Sequence, residues 1–325
     1  MQAFIHTAYG APADVLQLQE IAKPTPQDDE VLIKVQAVSL NASDTEFLTG
    51  SPIYARMAGI RKPSKTILGS DIAGRVEAVG SGVSQFQPGD AVLGDLLYSG
   101  GGFAAYVCAP ATALVRKPDS LTFEQAAALP QAGVIAVQGV RDKRQVQPGD
   151  KVLINGAGGG AGTFAVQLAK LHGAEVTAVD SARKLDLLRS LGADHVIDYQ
   201  QEDFARSGQR YDLILDLVAR RSLFACRRVL AADGVYAMVG GTAVALLQAA
   251  TLGPLIAARG DQKMGILAVR QNTADLNHVV ELVEAGKLTP MIDQCYPLIE
   301  VPAALQYLHD GQALGKVVIT VAADD

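Results

Sequence analysis

Two hydrophobic rhythms run along the chain, and the change between them divides it. Up to about residue 122, short apolar stretches such as Val31–Val38, Ile72–Val79 and Ala91–Leu97 are broken by turn clusters, among them Gly80-Ser81-Gly82 and Pro88-Gly89-Asp90. Turns at that density predict a compact, barrel-like β domain. From about residue 123 to 273, helical patterns alternate with short apolar strands: Val152–Ile154, Val176–Val179, His195–Ile197, Leu213–Leu215 and Gly234–Val239. Repeated β-α units predict a parallel, doubly wound sheet, whose right-handed crossovers put the first β-α turn at the carboxyl edge, where ligands bind. After Asn272 the pattern predicts a helix at Leu276–Glu284, a turn at Gly286, an extended piece, a helix at Val301–Leu308 and a last strand at Lys316–Val321. These last segments suit either domain. Gly265–Val269 is apolar and lies beyond the last β-α unit, which makes it a candidate sheet edge.

The most informative stretch is Lys151 to Lys170, KVLINGAGGGAGTFAVQLAK. An apolar strand stops at a glycine cluster that opens directly into a helix. Backbone N–H groups and the helix dipole there favour an anion, and missing side chains let a pyrophosphate approach closely. Two glycine registers overlap: Gly156, Gly158 and Ala161 fit G-x-G-x-x-G/A, and Ala157, Gly159 and Gly162 fit the same spacing with Ala first. Gly160 lies between them. Asp180 ends the next apolar run, where a ribose partner belongs. An aspartate there accepts from both ribose hydroxyls and favours NAD. Ser181, Arg183 and Lys184 follow at once, and they suit either a 2′-phosphate or a solvated first helical turn. Gly240 and Gly241 end a later strand, where backbone can approach a nicotinamide ribose.

Composition narrows the classes. The chain has 325 residues, 49% of them hydrophobic and 19% charged, with a net charge of −6. That supports a real core and, with no Lys/Arg run, disfavours nucleic acid. No stretch is long and apolar enough for a membrane helix, and the start lacks a secretory pattern. Cys108, Cys226 and Cys295 are scattered, which predicts packed thiols in a reducing compartment, read here as cytoplasmic, and no disulfide framework.

On these motifs the chain resembles the zinc-independent medium-chain dehydrogenase/reductases of the quinone oxidoreductase, or zeta-crystallin-like, branch. The resemblance rests on EVLIKVQAVSLNASD (Glu30–Asp44), ILGSDIAGRVEAVG (Ile67–Gly80), FQPGDAVLG (Phe86–Gly94), the glycine segment, RSLGADHVIDY (Arg189–Tyr199) and GKVVI (Gly315–Ile319). It implies an α/β fold: a GroES-like β-barrel domain built from residues 1–122 and 274–325, a Rossmann domain over 123–273, and a substrate cleft between them. Zinc relatives of this superfamily carry cysteine and histidine ligands. The matching places here are Asn41, Ser70 and the neighbourhood of Gln131-Ala132-Gly133, so no metal is expected. Asp71 is a lone carboxylate that more readily holds backbone than a metal. The resemblance also implies that Ala132 lines the nicotinamide side, that Tyr199 contacts the adenosine phosphate unless it is a packed strand-end residue, that Lys316 joins the cofactor contacts, and that two chains pair as a homodimer. It favours NADP(H) over NAD(H), with Asp180 as the departure.

Without a metal, reduction of a simple ketone lacks charge stabilisation at the developing alkoxide. Quinones and α,β-unsaturated carbonyls spread that charge over a conjugated system, so positioning against a nicotinamide does most of the work. Asn41 is the first candidate beside the reacting carbonyl, or else a turn residue after its strand. Asp44 orients Asn41, positions a proton donor or caps a short helix, and Tyr54 is a candidate phenol donor. Two other readings stand beside a quinone or enone reductase: a 2-enoyl thioester reductase, and a nucleotide-binding relative without turnover.

Overall fold

The Val- and Ile-rich runs of the first part pair into a sheet in a computed structural model of the chain, which describes residues 1–57 and 59–321. A hairpin of β1 (Gln2–His6) and β2 (Leu16–Glu20) precedes β3 (Glu30–Ser39), β4 (Asp71–Val79), β5 (Ala91–Asp95), β6 (Tyr106–Pro110) and β7 (Leu114–Arg116). In the second part, β8 (Lys151–Asn155), β9 (Glu175–Asp180), β10 (His195–Asp198), β11 (Tyr211–Asp216), β12 (Leu230–Met238) and β13 (Lys263–Ile266) alternate with helices. The chain closes with β14 (Ile292–Pro297) and β15 (Lys316–Thr320).

The first sheet runs β14-β15-β3-β4-β5-β7, with β6 also paired to β3. Its core packs Val31, Ile33, Val35 and Val38 of β3 against Ile72, Val92, Val317 and Ile319. Alternating apolar positions place one face of each strand there, and β-branched residues suit the pleat. The extended piece foreseen after Gly286 is thus strand β14, paired in parallel with β15. The second sheet runs β10-β9-β8-β11-β12-β13, all parallel. Counted within the unit, that is the dinucleotide-fold order 3-2-1-4-5-6, whose direction reverses between β8 and β11.

The chain divides into two compact units. One holds Met1–Gln131, Gln271–Gly286 and the chain from Pro290 on; the other holds Ala132–Arg270 and Lys287–Thr289. The reading by rhythm put the boundaries at 122/123 and 273/274. The first division falls later in the structure because the helix Phe123–Ala127, whose pattern looks like the start of the β-α part, sits in the β-rich unit. Thr122 and Gln125 close a capping box on that helix, and the Gln131 N–H beyond it donates to Asp71 Oδ1 at 3.1 Å in the β-rich unit. At the second boundary Gln271 is tied to the same unit, donating to the Asp95 carbonyl at 3.2 Å.

Candidate active site

The glycine cradle sits where β8 ends and the helix Gly160–Leu171 begins, at the point where strand order reverses. Gly156 opens the turn with φ of +83°, a conformation that β-carbon-bearing residues resist. Gly159 is the helix N-cap. The first helical N–H groups have no partner within the helix, which leaves them for an anion. A β-carbon on Gly162 would lie 2.4 Å from the Gly156 carbonyl oxygen and 2.5 Å from that of Ala157. Gly162, third in the second register, is therefore the glycine that lets the helix close on the loop.

The acidic end of β9 is spoken for. Asp180 Oδ2 accepts the Gly158 N–H and Oδ1 accepts the Ser181 N–H, each at 2.8 Å. Lys184 reaches Oδ1 at 3.7 Å, and the two residues are only 8% and 9% exposed. Lys184 is thus folded onto Asp180 rather than solvated, and Asp180 serves the protein's own loop. Arg183 and Tyr199 stand exposed beside this pair, so Tyr199 is not a packed strand-end residue. Gly240 and Gly241 follow β12 with φ of +67° and +109°. No atom lies within 4 Å of where a Gly240 β-carbon would stand, which leaves the backbone open to a ligand.

One organiser escaped the reading by motif. Asp216, fully buried at the end of β11, accepts from Asn155 Nδ2 (2.8 Å), the Val218 N–H (3.1 Å), the Ala219 N–H (2.7 Å) and the Tyr236 hydroxyl (2.9 Å). These bonds fix the loop after β11, and that loop covers Gly156: a β-carbon there would meet Val218 at 2.7 Å. The only sequence signal is an aspartate closing an apolar run.

In the β-rich unit, the ends of β3, β4 and β15 meet in a buried polar cluster. Asn41 caps the helix Ala42–Thr49. Its Oδ1 accepts from Lys316 Nζ at 2.6 Å and its Nδ2 donates to Ser70 Oγ at 3.2 Å. Lys316 also donates to the Leu40 carbonyl (3.0 Å) and to Asp71 Oδ2 (3.3 Å), which further accepts from Ser39 Oγ (3.3 Å). Lys316 is 2% exposed with all three protons engaged within the chain, so it holds Asn41 and Asp71 together. Asp71 holds backbone, through the Gln131 N–H. Ser43 Oγ donates to Gln131 Oε1 at 3.2 Å, while the buried Gln131 Nε2 has no acceptor, a donor left over for a ligand. Ala132, next along the same helix, is buried in the other unit.

Asp44 lies in the first turn of its helix, where Oδ2 accepts the Asn41 N–H (2.8 Å) and Oδ1 the Gly69 N–H (3.1 Å). Burial drives its carboxyl up to about 7 against those two bonds, and the nearby Asp71 adds to the rise. Because the folded value lies above the unfolded ~3.9, the stability Asp44 contributes is full in acid and lost as pH rises towards 7. Urea unfolding at pH 5 and pH 7.5 should show the wild type losing on the order of 2 kcal/mol more than Asp44→Asn. Asp71 and Asp95 titrate in both proteins, so parallel curves would remove Asp44 as the titrating group. Tyr54 lies in the turn Ile53–Arg56, where burial and then Glu46 push its phenol well above the ordinary value and so keep it protonated. Burial raises Cys108 to about 11 and Cys226 to about 12; Cys226 is a packed thiol, while Cys108 is only half-buried. Cys295 is instead exposed, because β14 is an edge strand.

A dinucleotide fold joined to a GroES-like β unit defines a nucleotide-dependent oxidoreductase of two domains. Residues 27–119 match the model of the alcohol dehydrogenase GroES-like domain, and residues 191–319 match that of a zinc-binding dehydrogenase. The chain is 33% identical to a chloroplastic quinone oxidoreductase of Triphysaria versicolor, over 98% of both proteins. It is 32% identical to the chloroplastic NADPH-dependent alkenal/one oxidoreductase of Arabidopsis thaliana, over 98% of this chain and 79% of that one. The solved quinone oxidoreductase of Coxiella burnetii superposes with a TM-score of 0.90 at 32% identity, over 99% of both chains. The chain belongs to the medium-chain dehydrogenase/reductase family, in its quinone oxidoreductase branch. Zinc, which the second model's description implies, does not fit these residues. Asn41 and Ser70 offer an amide and a hydroxyl bonded to each other, and among the described residues no three His, Cys, Asp or Glu side chains cluster to hold a metal. Nor, among the described residues, is any helix long and apolar enough to cross a membrane.

Proposed function

We propose that the protein is an NADPH-dependent, metal-free reductase that delivers hydride to quinones and α,β-unsaturated carbonyls. The observation that carries this reading is the polar cluster of the β-rich unit, in which the Lys316 ammonium holds Asn41 and Asp71 together in place of a metal centre. Such a cluster orients a carbonyl but offers no strong Lewis acid, so it suits acceptors whose charge delocalises. When bound, the nicotinamide supplies the hydride. Gly158, Gly159, Gly160, Ala161 and Gly162 cradle the pyrophosphate, and Gly240 and Gly241 leave room for a ribose. The unpartnered Nε2 of Gln131 is the donor we assign to a carbonyl of substrate or carboxamide. Asn41, held by Lys316 and Ser70, and the protonated Tyr54 complete the candidate catalytic groups. Oxidation of NADPH by 9,10-phenanthrenequinone, 1,4-benzoquinone and an alkenal tests the reading; tight NADPH binding with no turnover of any acceptor overturns it.

Cofactor choice follows from the rim. With both Asp180 oxygens engaged by backbone N–H groups and Lys184, the carboxylate no longer dominates the pocket, and Arg183 and Ser181 are left for a 2′-phosphate. Arg183→Ala is therefore expected to weaken NADPH about 10- to 100-fold and NADH less than about twofold, the loss of one charge-assisted contact. Equal losses for both cofactors in a fluorescence titration would contradict this.

A homodimer formed at the β13 edge is part of the proposal. β13 ends its sheet, and Val244, Leu247 and Leu255 on the neighbouring helix Ala243–Ala257 are 65%, 65% and 50% exposed. An open edge beside an apolar helix face suits a second copy; a monomeric mass in light scattering would refute it. The three free cysteines suit a reducing compartment, which we take to be the cytoplasm.

A further inference from the structure

The amino-terminal edge of the parallel sheet carries a recess of about 660 Å³ that the reaction does not use. Arg210 directly precedes β11, Val229 precedes β12 and Gln262 precedes β13, whereas the glycine cradle follows β8 at the carboxyl edge. Four of the ten lining residues are arginines (Arg206, Arg210, Arg227 and Arg228), and none is acidic. In a chain of net charge −6, that concentration of positive charge needs an explanation.

Two of the arginines, Arg210 and Arg227, are anchored by neutral partners, while Arg206 and Arg228 stand exposed at the rim. Arg210 Nη1 donates to the carbonyls of Arg228 and Leu230, at the carboxyl end of the helix Leu223–Arg228. Arg227 Nε donates to Gln262 Oε1 at 3.1 Å, and Gln262 Nε2 is itself held by the Ala231 carbonyl at 3.1 Å. Each guanidinium keeps further N–H donors beyond those bonds. Arg206 shares Asp203 with Arg221, at 3.8 and 3.5 Å. Among the described residues, no carboxylate pairs with Arg210, Arg227 or Arg228. Phe224 borders the recess and is 56% exposed, an apolar ring turned to solvent beside the charges.

We propose that this recess binds a small organic polyphosphate with a flat ring, of the nucleoside polyphosphate class, at a site separate from the cofactor cradle. Guanidinium forks match phosphate oxygens in pairs, and a guanidinium already fixed by structural bonds loses little freedom on binding. A recess of this size accepts a nucleotide, and the Phe224 ring gives the base a stacking face.

The test is calorimetric titration of the full chain with inorganic tripolyphosphate and with ATP, under saturating NADPH so that the cradle is filled. Both should bind saturably, with dissociation constants of ~10–100 µM and ATP the tighter. Arg206→Glu/Arg228→Glu alters two exposed side chains remote from the cradle. It should weaken both ligands at least about 100-fold while leaving the NADPH dissociation constant unchanged. Phe224→Ala should erase the advantage of ATP over tripolyphosphate. No saturable binding by the wild type overturns the site, as does binding that survives the double charge reversal but vanishes in Arg183→Ala, which would place the anion in the cradle. Equal affinity for ATP and tripolyphosphate in the wild type overturns the ring-binding half.

Discussion

Lys316→Met should destabilise the protein by about 3–5 kcal/mol at pH 8, and by clearly less at pH 5. Methionine nearly matches the lysine stem in volume, so packing loss is small and the charge decides the outcome. In the native cluster the ammonium donates to Asp71 Oδ2, Asn41 Oδ1 and the Leu40 carbonyl, and both Lys316 and Asp71 are out of solvent. Burial already raises the Asp71 carboxyl above its ordinary value, and Lys316 is the largest influence opposing the rise. Without it, the folded-state value climbs further above the unfolded ~3.9. A group with a raised folded value contributes its stability in acid and loses it as pH rises, so the gap between variant and wild type widens from pH 5 to pH 8. Removing both charges costs less than stranding one, so Lys316→Met/Asp71→Asn should recover a good part of the loss. Urea unfolding at the two pH values checks both statements. A loss independent of pH, or a double variant costing the sum of its parts, would refute the ion pair as the cause.

That cluster also shows what a sequence yields and withholds. The glycine segment was legible because its physics is local: strand, positive-φ turn and helix N-terminus follow each other within a few residues. The parallel sheet was legible from the repeat of β-α rhythm, which sets the hand of its crossovers but leaves the strand order to the fold. The partners of Lys316 were not legible, because Leu40, Asn41 and Asp71 are brought to it only by strand pairing between β15, β3 and β4. A lysine opening a terminal strand looks like any solvated charge until the register is known. Asp216 escaped for the same reason: Asn155 is 61 residues away and meets it only because β8 and β11 are neighbours across the switch point. The Asp180–Lys184 pair, four residues apart, was within reach of the sequence. What the sequence did not give was that the rest of the Asp180 carboxylate turns inward onto the loop of Gly158. Local geometry is written in neighbouring residues, and long-range hydrogen bonds in the fold.

The cradle itself yields the second large effect, through two glycines three positions apart. Gly162→Ala puts a methyl 2.4 and 2.5 Å from two backbone oxygens of the loop, which cannot turn aside as a side chain could. Helix and loop must separate by roughly 1 Å, an overpacking cost of ~1–3 kcal/mol that falls on the Rossmann unit. The displaced N–H groups no longer converge, and NADPH affinity should drop about 100-fold, equivalent to ~2.7 kcal/mol. Gly159→Ala is different. A methyl there meets only the Gly156 oxygen, at an ordinary 3.5 Å, and the φ of −87° suits alanine. The fold should lose no more than about 1 kcal/mol, the ordinary difference between N-cap residues. The methyl nevertheless stands at the helix entrance, where a pyrophosphate must touch backbone, so NADPH binding should still weaken more than about tenfold. Thermal unfolding with and without NADPH, together with fluorescence titration, separates the two. Gly159→Ala binding NADPH at wild-type strength would mean that the phosphate does not rest on this helix. Gly162→Ala with unchanged stability would mean that the close approach of helix to loop is not what the third glycine serves.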